Sequence, residues 1–138
     1  CTTELNMRTV AEIITARPEY LYVEDPLEDA WQLMRRKHIR HIPITKKDGR
    51  LVGLITHRNL LVNAQDVAHL SLPIAEIMET DIDTVNESDD LKDVALKLYD
   101  RKVGCLPVMR GDELVGIVTS GDFVALARKL LEEIERPK

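Results

Sequence analysis

Several kinds of protein are excluded by what this chain has little of. Cysteine occurs twice in 138 residues, as Cys1 and as Cys105 inside an apolar run, so neither a disulfide framework nor a CxxC metal site is available. Cys105 reads as a small buried residue. Long apolar runs are missing: nothing approaches the roughly 20 residues of a membrane-spanning helix, and residues 1–17 lack the apolar segment of a secretory signal. A cytoplasmic protein with no membrane partner is expected. Positive charge is in deficit, with a net charge of -5, which argues against general nucleic-acid binding but leaves room for a local basic patch. Catalytic motifs are absent too. There is no Gly-x-Ser-x-Gly elbow, no phosphate-loop lysine and no nucleophile with an orienting base, so no enzyme is expected.

What remains is an ordinary globular composition, 44% hydrophobic and 31% charged, in a chain long enough for one good core or two small ones. The first residue is not methionine. Two alternatives stay open, a natural start near Met7 or a regulatory piece of a longer protein.

The chain is written twice. VAEII at Val10 aligns with IAEIM at Ile74, and the same offset carries Leu27 onto Leu91, Asp29 onto Asp93, Ile39 onto Val103, Ile42 onto Leu106 and Pro43 onto Pro107. After a hairpin one residue longer in the first copy, Leu51, Val52, Gly53 and Thr56 fall on Leu114, Val115, Gly116 and Thr119. The repeats are predicted at residues 7–66 and 74–135, joined by a linker over 67–73.

Within each copy the pattern is α-β-α-β-β-α. The first copy opens with a short amphipathic helix at 10–14 and a strand at 20–23. A helix then follows Asp25-Pro26, with aspartate at the N-cap and proline at the first helical position. Leu27, Ala30, Trp31 and Met34 repeat at helical spacing, which assigns the one tryptophan to the core. HIPI and RLVGLI flank a turn with Asp48-Gly49 at its tip, the signature of a β-hairpin. The last helix starts at Thr56 in one copy and Thr119 in the other. The fold class is α/β in the α+β sense, with a small three-stranded sheet and flanking helices in each copy. Two copies related by a pseudo-twofold would bury their sheet faces and leave clefts suited to small ligands.

The paired GLITHRN and GIVTSGD segments, together with RHIPI and GCLPV before each hairpin, resemble a tandem pair of CBS domains, also called a Bateman module. KVGCLPV followed by ELVGIVTSGDFV is similar to the AcuB-like acetoin-utilisation group. The resemblance implies a regulatory module that senses adenine nucleotides or S-adenosylmethionine, commonly as a homodimer, and relays occupancy to a partner or an effector domain.

Thr119-x-x-Asp122 has two compatible readings. It is a capping-box pattern at a helix start. A carboxylate there could also accept both hydroxyls of a ribose, in hydrogen bonds strengthened by its charge. The resemblance implies that Asp122 is the ribose ligand with Thr119 beside it, and that the base lies near Val103 to Pro107 and Thr84. In the first copy Asn59 follows Thr56 at the same spacing. An amide loses the charge and the second oxygen, so unequal sites are expected, with Asn59 on the weaker side.

The first copy carries a basic cluster that the second lacks. His38, Arg40, His41, His57 and Arg58 stand where the second copy has Lys102, Gly104, Cys105, Ser120 and Gly121. Either this is a solvated charged face, or it receives the phosphates of a nucleotide. Strand alternation lets only one set face a cleft, which favours Arg40 with His57 or Arg58 over His41. Such a cluster suits AMP, ADP or ATP better than the positive sulfonium of S-adenosylmethionine. No metal site is expected, because no matched ligand set is present. The competing function is a scaffold that dimerises without any ligand.

Overall fold

The computed structural model describes residues 9–16 and 18–136; Cys1 and Met7, and with them the expected start of the first repeat, lie outside this range. The elements are β1 (Thr15–Ala16), β2 (Leu21–Tyr22), α1 (Leu27–Lys37), β3 (His41–Thr45), β4 (Leu51–Thr56) and α2 (His57–Asn63) in the first half. They continue with β5 (Val85–Asn86), α3 (Leu91–Arg101), β6 (Cys105–Arg110), β7 (Glu113–Thr119) and α4 (Ser120–Glu135). The expected helix at 10–14 is a single 3-10 turn, Val10–Glu12, and the linker holds another, Val67–Ser71.

Two sheets form, in the orders β2-β3-β4 and β1-β7-β6-β5. Each copy thus supplies the expected three strands, and two residues from the start of the chain add a fourth to the second sheet. β2 runs parallel to β3, with Leu21 beside Ile44 and Tyr22 beside Thr45. β5 does the same on β6, with Val85 beside Val108. Both pairings begin one residue beyond a proline, Pro43 or Pro107, because proline has no N–H to give a neighbouring strand.

The packing units cut across the sequence repeats. One contains residues 17–83 with the hairpin tip 112–114, and the other joins the leading segment up to residue 16 to 84–111 and 115 onwards. In the first unit Ile74 is fully buried among Leu27, Ala30, Ile42, Ile44, Ile55 and Leu60. In the second, Val10 is fully buried among Val94, Leu106, Val108 and Val118. Each of the two leading side chains contributes about 1.5–3 kcal/mol by leaving water. The backbone bonds repeat as well. Val10 and Ala11 donate to the carbonyls of Asp89 and Glu87 (2.9 and 3.2 Å), as Ile74 and Ala75 donate to Asp25 and Val23 (2.8 and 3.1 Å).

One local expectation is corrected. Asp25 does not cap α1: Pro26 holds the N-cap position without a side-chain bond. The Asp25 carboxylate turns back instead to accept the Tyr22 N–H at 2.8 Å. Its counterpart Asp89 accepts from Asn86 in the same way, and the next residue, Asp90, caps α3 by accepting the Lys92 N–H at 2.8 Å. In the first copy proline fills that next position and offers no acceptor. The hairpin tip is as expected, with Gly49 at φ 89°, a conformation glycine adopts without strain.

Gly53 is fixed by close approach rather than by its dihedral angles. Leu54 exchanges two 2.9 Å backbone bonds with Glu79, and a methyl group on Gly53 would sit 2.6 Å from the Met78 sulfur and 2.8 Å from the Glu79 carbonyl oxygen. The sulfur can swing aside, but the backbone oxygen cannot without breaking the Leu54 pair. Gly53→Ala should therefore destabilise the protein by about 1–3 kcal/mol, read as a lower midpoint in chemical denaturation. An unchanged midpoint would show that the 78–79 segment is not held against β4.

Candidate ligand-binding site

The two Thr-x-x-Asp/Asn segments both cap their helices. Thr119 accepts the Asp122 N–H on its hydroxyl at 3.2 Å, and Asp122 Oδ2 accepts the Thr119 N–H at 2.8 Å. Among the described residues no group donates a hydrogen bond to the other carboxylate oxygen of Asp122. Asp122 lies in the wall of a hollow of about 310 Å³ together with Glu12, Ile13, Ile14, Leu126 and Lys129. Ile13 and Ile14 of the leading segment and Leu126 of α4 give it an apolar wall, and Glu12, Arg128 and Lys129 its charged rim. Asp122 is half-buried, so a ligand can reach it while the cap stays formed.

The first copy is built alike but spent differently. Asn59 Oδ1 accepts both the Thr56 N–H and the Thr56 hydroxyl, each at 2.8 Å, while Thr56 Oγ1 accepts the Asn59 N–H at 3.1 Å. An amide has one acceptor oxygen with two lone pairs, and both are taken. What Asn59 has left is its NH₂ group, which donates.

The other residues expected around the base lie outside that hollow, although the parallel register that sets Val85 beside Val108 keeps Thr84 next to Pro107. Thr84 is half-buried just before β5, and its carbonyl accepts the Lys97 ammonium at 2.9 Å. Pro107 is buried within β6. Val103 is 37% exposed and lines a different hollow, with Leu98, Tyr99, Lys102, Gly104 and Ser120. None of the three lines the hollow that holds Asp122.

Strand alternation does not organise the basic cluster, because β3 begins only at His41 and Ile39 lines the same hollow as its neighbour Arg40. Arg40 and His57 share a hollow of about 310 Å³ with Arg35, His38 and Trp31, while Arg58 and His41 do not line it. The His41 pKa is pushed below its ordinary value by burial; Glu79 works against this shift and Arg40 adds to it. A histidine neutral at physiological pH is a poor anchor for phosphate, which counts against His41.

Sequence reasoning missed two members of this hollow. Trp31 was assigned to the core, and it does pack against it, but its ring also lies parallel to His57, with 5.6 Å between centroids and 4° between planes. Arg35 follows Trp31 by four residues, the spacing that puts two side chains on one helical face, and that spacing was the signal available. Among the described residues no group of three or more metal-ligating side chains gathers.

Cys105 is 3% exposed. Burial pushes its thiol up to about 12, and the Asp122 carboxylate adds to the shift.

The chain belongs to the CBS domain family, which matches residues 10–66 and 74–129 and so accounts for both repeats. The crystal structure of a protein described as an acetoin utilization protein (AcuB) from Vibrio cholerae is 37% identical with a TM-score of 0.84, covering 94% of this chain and 98% of that one. The CBS domain pair of protein MJ0100, solved in complex with 5'-methylthioadenosine and S-adenosyl-L-methionine, is 28% identical with a TM-score of 0.78 over 88% of this chain and 97% of that one. Protein MJ1004 of Methanocaldococcus jannaschii is 35% identical over 81% of this chain. The chain spans 53% of the length of that relative and 26% of a homoserine O-acetyltransferase from Methanohalophilus mahii. No helix among the described residues is long and apolar enough to cross a membrane.

A raised thiol pKa stabilises the fold below the unfolded value and is lost as pH climbs through the folded one, between about 8.5 and about 12. In Cys1→Ser protein, Cys105 should thus stay unreactive towards a thiol reagent at pH 8 in native buffer and react at once in denaturant. Rapid native labelling would show that β6 opens readily.

Proposed function

We propose that this chain is a regulatory ligand-sensing module, not an enzyme, whose second repeat holds the adenosine part of AMP, ADP or ATP. The observation that carries this reading is the hollow beside Asp122. A ribose presents two adjacent hydroxyls that need acceptors, and Asp122 keeps an oxygen free while its partner oxygen caps α4. Charge-assisted bonds of this kind are about twice as strong as neutral ones. Ile13, Ile14 and Leu126 offer apolar surface for a base, and Arg128 and Lys129 offer cations at the rim. The saturated Asn59 oxygen gives the first repeat no comparable acceptor, so one repeat dominates.

Occupancy acts by population. A ligand stabilises whichever arrangement it contacts better, and the shift is limited by that difference in affinity. Through it a partner, an effector domain or a second copy of the chain would read the adenosine ligand; the protein acts in the cytoplasm.

S-adenosylmethionine is the competing ligand, supported by the likeness to the MJ0100 pair and by Glu12 in the same hollow, an anion that could face a sulfonium. A ligand-free scaffold is the third reading.

Calorimetry on nucleotide-stripped protein separates them. Adenosine and AMP should bind saturably, Asp122→Ala should weaken both at least about tenfold, the loss of roughly one charge-assisted bond, and Asn59→Ala should change little. Circular dichroism of Asp122→Ala checks that the weakening is not unfolding from the lost cap. Tighter binding of S-adenosylmethionine than of any nucleotide would replace the ligand, and no heat from any of them in folded protein would leave the scaffold.

A further inference from the structure

The hollow beside Trp31 has a counterpart at the same place in the second repeat, and the pair acts as an internal control. In the first repeat it is lined by Met34, Arg35, His38, Ile39, Arg40 and His57, with Trp31. In the second, the repeat-equivalent residues Leu98, Tyr99, Lys102, Val103, Gly104 and Ser120 line a hollow of about 580 Å³. The concavity therefore comes from the fold: the end of a helix, its left-handed closing residue (His38 or Lys102) and the start of the next helix. The apolar floor is kept as well, Met34 and Ile39 answering to Leu98 and Val103. What differs is charge. The first hollow gathers two arginines and two histidines without a carboxylate, whereas the second holds one lysine beside Asp100.

The helix macrodipole explains part of this, because basic residues in a last turn are favourable in themselves. Arg35, Arg36 and Lys37 all occupy the last turn of α1. It does not explain Arg40, which lies beyond the helix, or His57, which comes from α2. Nor does it explain why only Arg35 of the three faces the hollow. Among the described residues neither Arg35 nor Arg40 has an ion-pair partner. Gathering these cations in one concave place raises the local positive potential, which attracts an anion.

The geometry is selective too. The main chain ties the two sides of the hollow together, since the His57 N–H donates to the Arg40 carbonyl at 2.8 Å. The Trp31 ring fixes the plane of His57 by parallel stacking. With that face covered, the in-plane ring nitrogens remain to meet a ligand. Two guanidinium forks and an oriented imidazole match a group with several oxygens and at least two negative charges.

We propose that the first repeat carries its own oxyanion site, formed by Arg35, His38, Arg40 and the Trp31-stacked His57, that takes a pyrophosphoryl or phosphomonoester group. It does not rest on the adenosine reading of the second repeat: the two sites share no residue. The second repeat has the hollow but not the site, so the chain binds such a group once.

Pyrophosphate titrated into the full chain at low ionic strength tests this, followed by calorimetry and by the His57 ring resonances. The expected result is saturable binding with a stoichiometry of about one that moves the His57 signals and weakens as salt rises. Arg40→Gln and Arg35→Gln should each lower affinity at least about tenfold, whereas Arg36→Gln, which removes the same charge from the same turn outside the hollow, should stay within about twofold. Asp122→Ala should leave pyrophosphate binding unchanged, which keeps this test separate from that of the adenosine site. Absence of saturable binding, or equal losses in Arg36→Gln and Arg40→Gln, would overturn the site and return the cluster to a solvated charged face. Pyrophosphate binding without adenosine binding would sink only the ribose reading.

Discussion

The fold depends on the short segment that leads into each repeat. Val10 and Ile74 are both fully buried, and beside each the backbone makes the same pair of hydrogen bonds to the residues just before a helix. Burying a short turn removes its N–H groups from water, and leaving them unpaired would cost more than the apolar side chain gains. The two bonds make that burial affordable. The first turn of α1, whose N-cap proline has no side chain able to accept, is served separately: the Leu72 carbonyl accepts the Leu27 N–H at 2.9 Å.

The hollow beside Asp122 follows from the same constraint. Ile13 and Ile14 line it because the leading segment is anchored at Val10 and continues into β1 along β7, with Thr15 beside Ile117. A helix cap and a piece of apolar wall, far apart in sequence, become one site through packing. The capping box does not compete with that role, because a carboxylate has more acceptor positions than one N–H can fill. Asparagine in the same place has none to spare. A single substitution within an otherwise repeated motif thereby makes the two repeats chemically unlike.

Divergence between the copies is concentrated where the fold is indifferent. Core positions exchange one aliphatic side chain for another, as Ile42 for Leu106 or Ile44 for Val108, and remain buried. The hollows at the ends of α1 and α3 keep their floor while their rims become basic in one copy and nearly neutral in the other. Solvent screens the rim, so charge there can change at little cost in stability. Duplicated folds gain new chemistry most cheaply at such places.

The sequence by itself determined the duplication, both hairpins, the helix starting at each threonine and the burial of Cys105. These follow from periodicity, turn chemistry and capping, all interactions within a few residues of one another. It favoured Arg40 with His57 or Arg58 by strand alternation, but Arg40 precedes β3 and His57 opens α2, so their shared hollow is made by the loop and the helix start. It misjudged Asp25, because whether that carboxylate caps α1 or ties down Tyr22 depends on where the chain enters from β2. It left Trp31 in the core, since helical spacing fixes a face but not what lies over it, and the partner ring arrives from α2. Only the tertiary structure decided which core each leading segment completes. The sequence places Val10 and Ile74 at the heads of their own repeats, and nothing local distinguishes packing onto one copy from packing onto the other. That choice is made by shape and by the backbone groups left waiting at Asp25 and Asp89, which exist only once the rest has folded.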